Sequence, residues 1–299
     1  MESLVSLLKN TGPLTGKEIV SKTGMEVFEA WKKCAELDCL DNIIVGKRYL
    51  RLDAKVEGYA RLSPSIMREF LNYTVIGHRF DYSKTVEKAE FLVQESIAIS
   101  ENKINLAKDI VKRLFQNGSD FKTISSRICF IIAGDVVFGM AHREPRPEVS
   151  TGELVRGSDL DIIAVSEGLT EDLKTNIDSY LYREKYNLLM NPALKEELDY
   201  IVKDISAVVE QLKFDDFKKM VAAKILNEGL YLAGSNLIFN KIKAMLVQNR
   251  IPAKLSDLEN KAALDRLEAE KTLLSVADEK DYEELMALFY TTEEKEEIF

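Results

Sequence analysis

In Arg156-Gly157-Ser158-Asp159-Leu160-Asp161-Ile162-Ile163-Ala164-Val165, two carboxylates at alternate positions stand before a run of β-branched and apolar residues. Residues two apart share one face of a strand, so Asp159 and Asp161 point one way while Leu160 and Ile162 point into a core. Two acids side by side repel each other. A divalent cation removes that cost, and hard oxygen ligands of this kind suit magnesium carrying phosphates.

Two flanking segments extend the pattern. Ile128-Cys129-Phe130-Ile131-Ile132-Ala133-Gly134-Asp135 reads as a fully buried strand stopped by a glycine turn, followed by a helix-like 136–141. Glu197-Leu198-Asp199-Tyr200-Ile201-Val202 reads as another short strand, and Asp199 near its start offers a third carboxylate. An Asp-x-Asp pair alone is a weak signal, because such pairs also cap solvated strand ends. The ordered set of three strands is more specific.

This arrangement resembles the catalytic core of the DNA polymerase beta-like nucleotidyltransferase superfamily, over roughly residues 120–213. In that pattern a strand ends in Gly-Ser, a Ser-Asp-x-Asp strand follows, and a later strand carries one more acid. Gly134 and Gly139 stand where its glycines would, Ser158-Asp159-Leu160-Asp161 matches the metal strand, and Asp199 is the third ligand. Two features depart from it. Asp135 follows Gly134 in place of serine, which is electrostatically unfavourable beside a triphosphate, and 140–157 is longer than in compact members, as an inserted loop would be.

The resemblance implies transfer of a nucleoside monophosphate from a triphosphate such as ATP to a hydroxyl acceptor, with pyrophosphate leaving. Two Mg²⁺ ions about 3.5 to 4 Å apart would serve the attacking and departing oxygens. Asp159 and Asp161 would bridge both ions, and Asp199 would bind the one that activates the acceptor. Gly134, Gly139 and Ser158 would line the phosphates with Asp135. Arg143, Arg146 and Arg156 of the polar, proline-containing loop, and Lys219 with Lys224 further on, could neutralise them; a solvated surface is the alternative for each. A protein, an RNA end or a small molecule fits the acceptor role. The competing reading is a DNA- or protein-binding regulator whose core of this fold has lost catalysis, favoured by Asp135 and the inserted loop and opposed by the intact acid triad.

The N-terminal pattern is different. Residues 2–9 have amphipathic helical spacing that stops at Asn10-Thr11-Gly12-Pro13, a second short helix ends at Thr23-Gly24, and a third spans about 25–37. Residues 43–52 read as two strands turning at Gly46-Lys47, so 1–55 resembles a winged helix-turn-helix. Its functional reading is DNA contact by the third helix and by Lys47, Arg48 and Arg51 of the wing; its plain reading is a structural or protein-docking module. The third helix mixes Glu26, Glu29 and Glu36 with Lys32 and Lys33, a weak electrostatic footprint for DNA.

Ser63-Pro64 marks a helix running to about 73, and 84–116 is a long helical stretch expected to bend or break near Ser100-Glu101-Asn102 and to close at Asn117-Gly118. Its apolar stripe could also form a homodimer seam. Leu169-Thr170-Glu171-Asp172 opens a helix to about 190 that Pro192 interrupts; helices follow at 207–212, 214–232, 236–248 and 255–276, and 291–299 is an acidic tail. The expected class is therefore α+β: a small mixed-sheet nucleotidyltransferase core at 119–213, flanked by the winged-helix module at 1–55, a helical connector at 56–118 and a C-terminal helical lobe at 214–299.

A chain of 299 residues suffices for two or three domains. Its net charge of −9 disfavours a generic nucleic-acid binder, although a local basic patch is compatible with it. Cys34, Cys39 and Cys129 form no metal-type spacing, and two histidines are too few for a histidine metal site. With no signal-peptide pattern and no membrane-length apolar run, a cytoplasmic location is expected.

Overall fold

A computed structural model describes residues 4–116, 121–148, 151–275 and 282–291 of this α+β protein. Among them the chain divides into two compact units, Met1–Glu95 with Leu258–Phe299, and Ser96–Asp257. The expected closing cap at Asn117-Gly118 and nearly all of the acidic tail lie outside the described residues.

The first unit begins with α1 (Leu4–Thr11), β1 (Leu14–Thr15), α2 (Gly16–Thr23), α3 (Val27–Glu36) and β2 (Leu40–Ile44), so the three short helices form as their spacing predicts. Thr15 and Glu18 make a reciprocal capping box at the start of α2, satisfying amide donors that the first helical turn leaves open. The expected hairpin over 43–52 does not form. β2 pairs antiparallel with β5 (Thr74–His78), whose other edge takes β1, while β3 (Tyr49–Leu52) pairs with β4 (Ala60–Ser63). Every residue of β5 is buried, so it needs a partner on each side, and the Val45 amide donates to the Tyr73 carbonyl at 2.7 Å, drawing the chain after β2 toward β5 instead of back on itself.

The helical connector is corrected for the same reason: 56–81 contains β4, α4 (Ile66–Tyr73) and β5 as well as a short turn. Ser65 caps α4 by accepting from the Arg68 amide. α5 (Tyr82–Gln116) then runs through Ser100 as one helix, where a break was expected. The Ser100 hydroxyl donates to the Ser96 carbonyl at 2.8 Å and accepts from the Ala141 amide at 3.1 Å, so it is used without disrupting the helix.

In the second unit, α6 (Phe121–Arg127) leads into β6 (Ile128–Ala133), and a small hairpin of β7 (Pro145–Pro147) and β8 (Leu154–Arg156) precedes β9 (Leu160–Ser166). α7 (Glu171–Met190), β10 (Leu198–Asp204), α8 (Ile205–Gln211), α9 (Phe217–Glu228), β11 (Leu230–Gly234) and α10 (Asn236–Gln248) follow. The sheet order is β10-β9-β6-β11, with β10 parallel to β9 and the other pairs antiparallel. Expectation placed 214–232 in one helix and ended the core at 213. Instead Leu230–Gly234 adds a strand to β6: a short apolar run does not distinguish helix from strand, and the open edge of β6 decides it. Ile110 and Val111 of α5 and Ile177 and Leu181 of α7 cover one face of the sheet, against Phe130, Ile132, Leu160 and Ile162. Each such side chain contributes about 1.5–3 kcal/mol on burial.

α11 (Ile251–Ser275) and α12 (Tyr282–Phe289) are the last elements among the described residues, and from Leu258 onward they belong to the first unit, so 214–299 is not one lobe. Phe289 packs on Phe28 and Trp31 of α3, at 5.2 and 5.4 Å between ring centroids. On α3, Lys33 pairs with Glu29 and Lys32 with Glu36, and Arg48 is drawn into a partly buried pair with Glu69. Among the described residues, no helix is long and apolar enough to cross a membrane.

Candidate metal centre

The parallel register of β9 and β10 sets Asp161 directly opposite Asp199. Asp159, two residues before Asp161, falls on the same face, and one oxygen from each of the three carboxylates lies within 4.8 Å of the others. This trio could hold a metal ion, and among the described residues no other trio of His, Cys, Asp or Glu comes together in this way. The sequence pattern named all three.

β6 brings up the other side. Ala133 is the register partner of Asp161, and Gly134 follows at φ 78° and ψ −162°, a conformation open to glycine. A Cβ on Gly134 would stand 2.3 Å from Asp161 Oδ2, so the backbone reaches the acids only because no side chain is there. A single 3₁₀ turn, Asp135–Phe138, comes next and closes at Gly139, whose surroundings would accept a Cβ at 3.5 Å from Ile97; Gly139 serves the turn.

Ser158 is buried and links the parts. Its hydroxyl donates to Asp135 Oδ2 at 3.2 Å and accepts from the His142 amide at 3.3 Å, while its own amide donates to the His142 carbonyl at 3.2 Å. Asp135, where the resemblance noted from the sequence would place serine, is thus tied to the residues just before β9.

Two cations stand against the acids. Arg146 donates from Nε to the Gly157 carbonyl at 3.0 Å, and its Nη2 lies 2.8 Å from Glu197 Oε2 and 3.8 Å from Asp159 Oδ2. Lys185 of α7 donates from Nζ to Asp199 Oδ1 at 2.7 Å. Neither Lys185 nor Glu197 was named from the sequence as a site residue. A signal for Lys185 existed: positions 177, 181, 185 and 189 of α7 fall four apart, Ile177, Leu181 and Leu189 are buried, and Lys185 is the charged member of that row.

Burial pushes Asp161 well above the usual carboxylate range, and Asp159, Asp199, Asp135 and Glu228 add to the shift by repulsion. Burial also raises Asp159; Arg146 opposes that rise, and Asp135 and Asp199 reinforce it. About a third of the Asp159 side chain still meets solvent (35 %), so it lies in an open recess flanked by protein. Glu197 is raised by burial against the pull of Arg146. These are acids whose charged forms a cation would favour.

The remaining sequence-named residues are dispersed. Arg143 is exposed in the loop, with its Cα close to Gly157. Arg156 donates from Nη1 to the Ala193 carbonyl at 3.0 Å, and Lys219 pairs with Asp215 and Asp216 at 2.5 and 3.3 Å at the start of its own helix. Lys224 pairs with Glu228 at 2.5 Å. None of these bonds reaches the acid trio.

Compared with known protein families, with curated proteins and with solved structures, the chain matches none.

Proposed function

We propose that the Ser96–Asp257 unit is a magnesium-dependent nucleotidyltransferase of the DNA polymerase beta-like kind. The observation that carries this reading is the convergence of Asp159, Asp161 and Asp199 from adjacent parallel strands, with the glycine turn after β6 pressed against Asp161. The residues fit the group: three hard carboxylate oxygen donors, two of them with charged forms that burial and neighbouring acids disfavour and a cation would relieve, beside a backbone free of side-chain obstruction.

Bound Mg²⁺, as two ions in this reading, supplies the positive charge that stabilises phosphate oxygens and lowers the pKa of an attacking hydroxyl. Asp159, Asp161 and Asp199 would hold the metal. Asp199, its side chain about half exposed (49 %), faces the arriving acceptor. Gly134 leaves room for phosphates at the end of β6. The acceptor oxygen bonds to the α-phosphorus, the bond to pyrophosphate breaks, and the hydroxyl proton passes to Asp199 or to water. Arg146, already held by Glu197 and Gly157, keeps the inserted hairpin against the start of β9.

The test is pyrophosphate release from each labelled nucleoside triphosphate in turn, with candidate acceptors. Asp159→Ala and Asp161→Ala are expected to lose it; release by both variants at the wild-type rate would remove the reading. Asp135 at the phosphate turn favours a second reading, a non-catalytic regulator on the same fold. Triphosphate binding that strengthens with Mg²⁺ supports transfer, and binding indifferent to Mg²⁺ supports the regulator. In the first unit the order β1-β5-β2 behind three helices supports a winged-helix-like module with 45–73 inserted between its last strands. DNA contact by it draws no support from Lys32, Lys33 and Arg48, which are all ion-paired.

A further inference from the structure

We propose that Lys185 is a built-in counter-ion for Asp199 which a divalent cation must displace, so that this lysine sets the metal affinity of the centre. The inference rests on reading the three acids as a metal site and concerns how that site is held before an ion arrives.

Its basis is the contrast between the two cations at the centre. Arg146 has three attachments there, the Gly157 carbonyl, Glu197 and the more distant Asp159, so it keeps its place when Asp159 turns to an ion. Lys185 has one. Among the described residues its ammonium makes a single ion pair, with Asp199 at 2.7 Å. It is also aimed by the scaffold: it occupies the buried row of α7 between Leu181 and Leu189, and only 31 % of its side chain is exposed. An ammonium and a divalent ion crowded on one carboxylate repel each other, and a lysine head on a flexible four-carbon stem can swing aside. Asp161 makes no ion pair among the described residues and Asp159 makes a long one, 3.8 Å to Arg146, so the contest for the cation falls chiefly on Asp199.

Two effects of opposite sign follow from removing the ammonium. Without metal, Asp199 loses its cation and the acids repel more strongly, so the protein melts earlier. With metal, nothing needs displacing, so the ion binds more tightly. A lysine that merely packed α7 onto β10 would, once removed, weaken both.

The experiment uses the full chain and Mn²⁺, with free ion followed by electron paramagnetic resonance and melting followed in chelator, at fixed ionic strength. Lys185→Met and Lys185→Gln are compared with wild type, Lys185→Arg and Asp161→Asn. The expected result is Mn²⁺ binding roughly tenfold tighter in the two neutral variants, from loss of a partly exposed charge pair. Their metal-free melting temperature falls, and Lys185→Arg stays near wild type. Unchanged or weaker binding in both folded neutral variants, with wild-type binding that Asp161→Asn abolishes, overturns the counter-ion role alone. No Mn²⁺ binding by any of the proteins overturns the metal centre and this inference with it.

Discussion

Asp161 carries the largest electrostatic penalty among the three clustered acids, because burial and four neighbouring acids all oppose its charge. A folded-state pKa above the unfolded one has a definite consequence for stability. The contribution of Asp161 is fully present below the ordinary carboxylate pKa, near 4, and is lost as pH rises through the raised folded value. Metal-free wild type is therefore expected to melt progressively earlier than Asp161→Asn as pH climbs through and above the ordinary carboxylate range, since the amide never ionises. Saturating Mn²⁺ should reverse the order, because the ion binds the carboxylate and not the amide. Melting curves in chelator and in Mn²⁺ across that range decide it; two proteins running parallel at every pH would contradict the assignment. The trio was legible in the sequence because the two-residue period of a strand puts Asp159 and Asp161 on one face whatever lies elsewhere. The partners were less so: the row on α7 could mark Lys185 as facing the sheet but not as meeting Asp199, and Arg146 reaches Glu197 from an inserted loop that no periodicity along the chain places.

An element can be fixed by what its end must avoid, as β6 illustrates. Gly134 combines a left-handed φ of 78° with a wall 2.3 Å from any added Cβ, and that wall is Asp161 itself. Gly134→Ala should cost about 1–3 kcal/mol from backbone strain and more from the collision, and it should weaken Mn²⁺ binding because Asp161 has to move. Gly152→Ala separates the two causes. Its φ is also positive, at 71°, but an added Cβ meets nothing within 4 Å, so strain alone remains and Mn²⁺ affinity stays intact. Urea midpoints and Mn²⁺ titrations of both variants test this; equal metal affinity in the two would sever Gly134 from the site. β6, β9 and β10 were readable from their apolar runs and glycine punctuation. β11 and the 43–52 segment were misread for one reason, that their identity depends on distant partners: Leu230–Gly234 on β6, and β2 on β5.

At the scale of the whole chain, the first unit is closed by residues far apart in sequence. Arg48 makes a two-pronged bond to Glu69, at 2.6 and 2.7 Å, and a third bond at 3.0 Å to Glu270, 222 residues away. Arg266 joins the same group, with 2.8 Å to Glu270, 3.2 Å to Glu69 and 3.0 Å to the Pro64 carbonyl. The side chains of Glu69 and Arg266 are only 7 % and 6 % exposed, and removing Arg266 leaves the buried Glu69 with the Arg48 bonds and Glu270 with one bond fewer. No local pattern announces this link, which is why the sequence left 214–299 as a separate lobe. Arg266→Ala should destabilise the first unit by about 1.5–3 kcal/mol, the usual cost of losing hydrogen bonds to buried charged groups that keep another partner. Trp31, the chain's single tryptophan, reports on that unit directly because it packs against Phe289. Its fluorescence transition in urea should move to lower denaturant, while Mn²⁺ affinity stays at the wild-type value because all three ligand acids belong to Ser96–Asp257. A Trp31 transition that does not shift would mean the Arg266 charge is solvated after all. A loss of metal affinity would mean that the acids depend on the first unit for their placement.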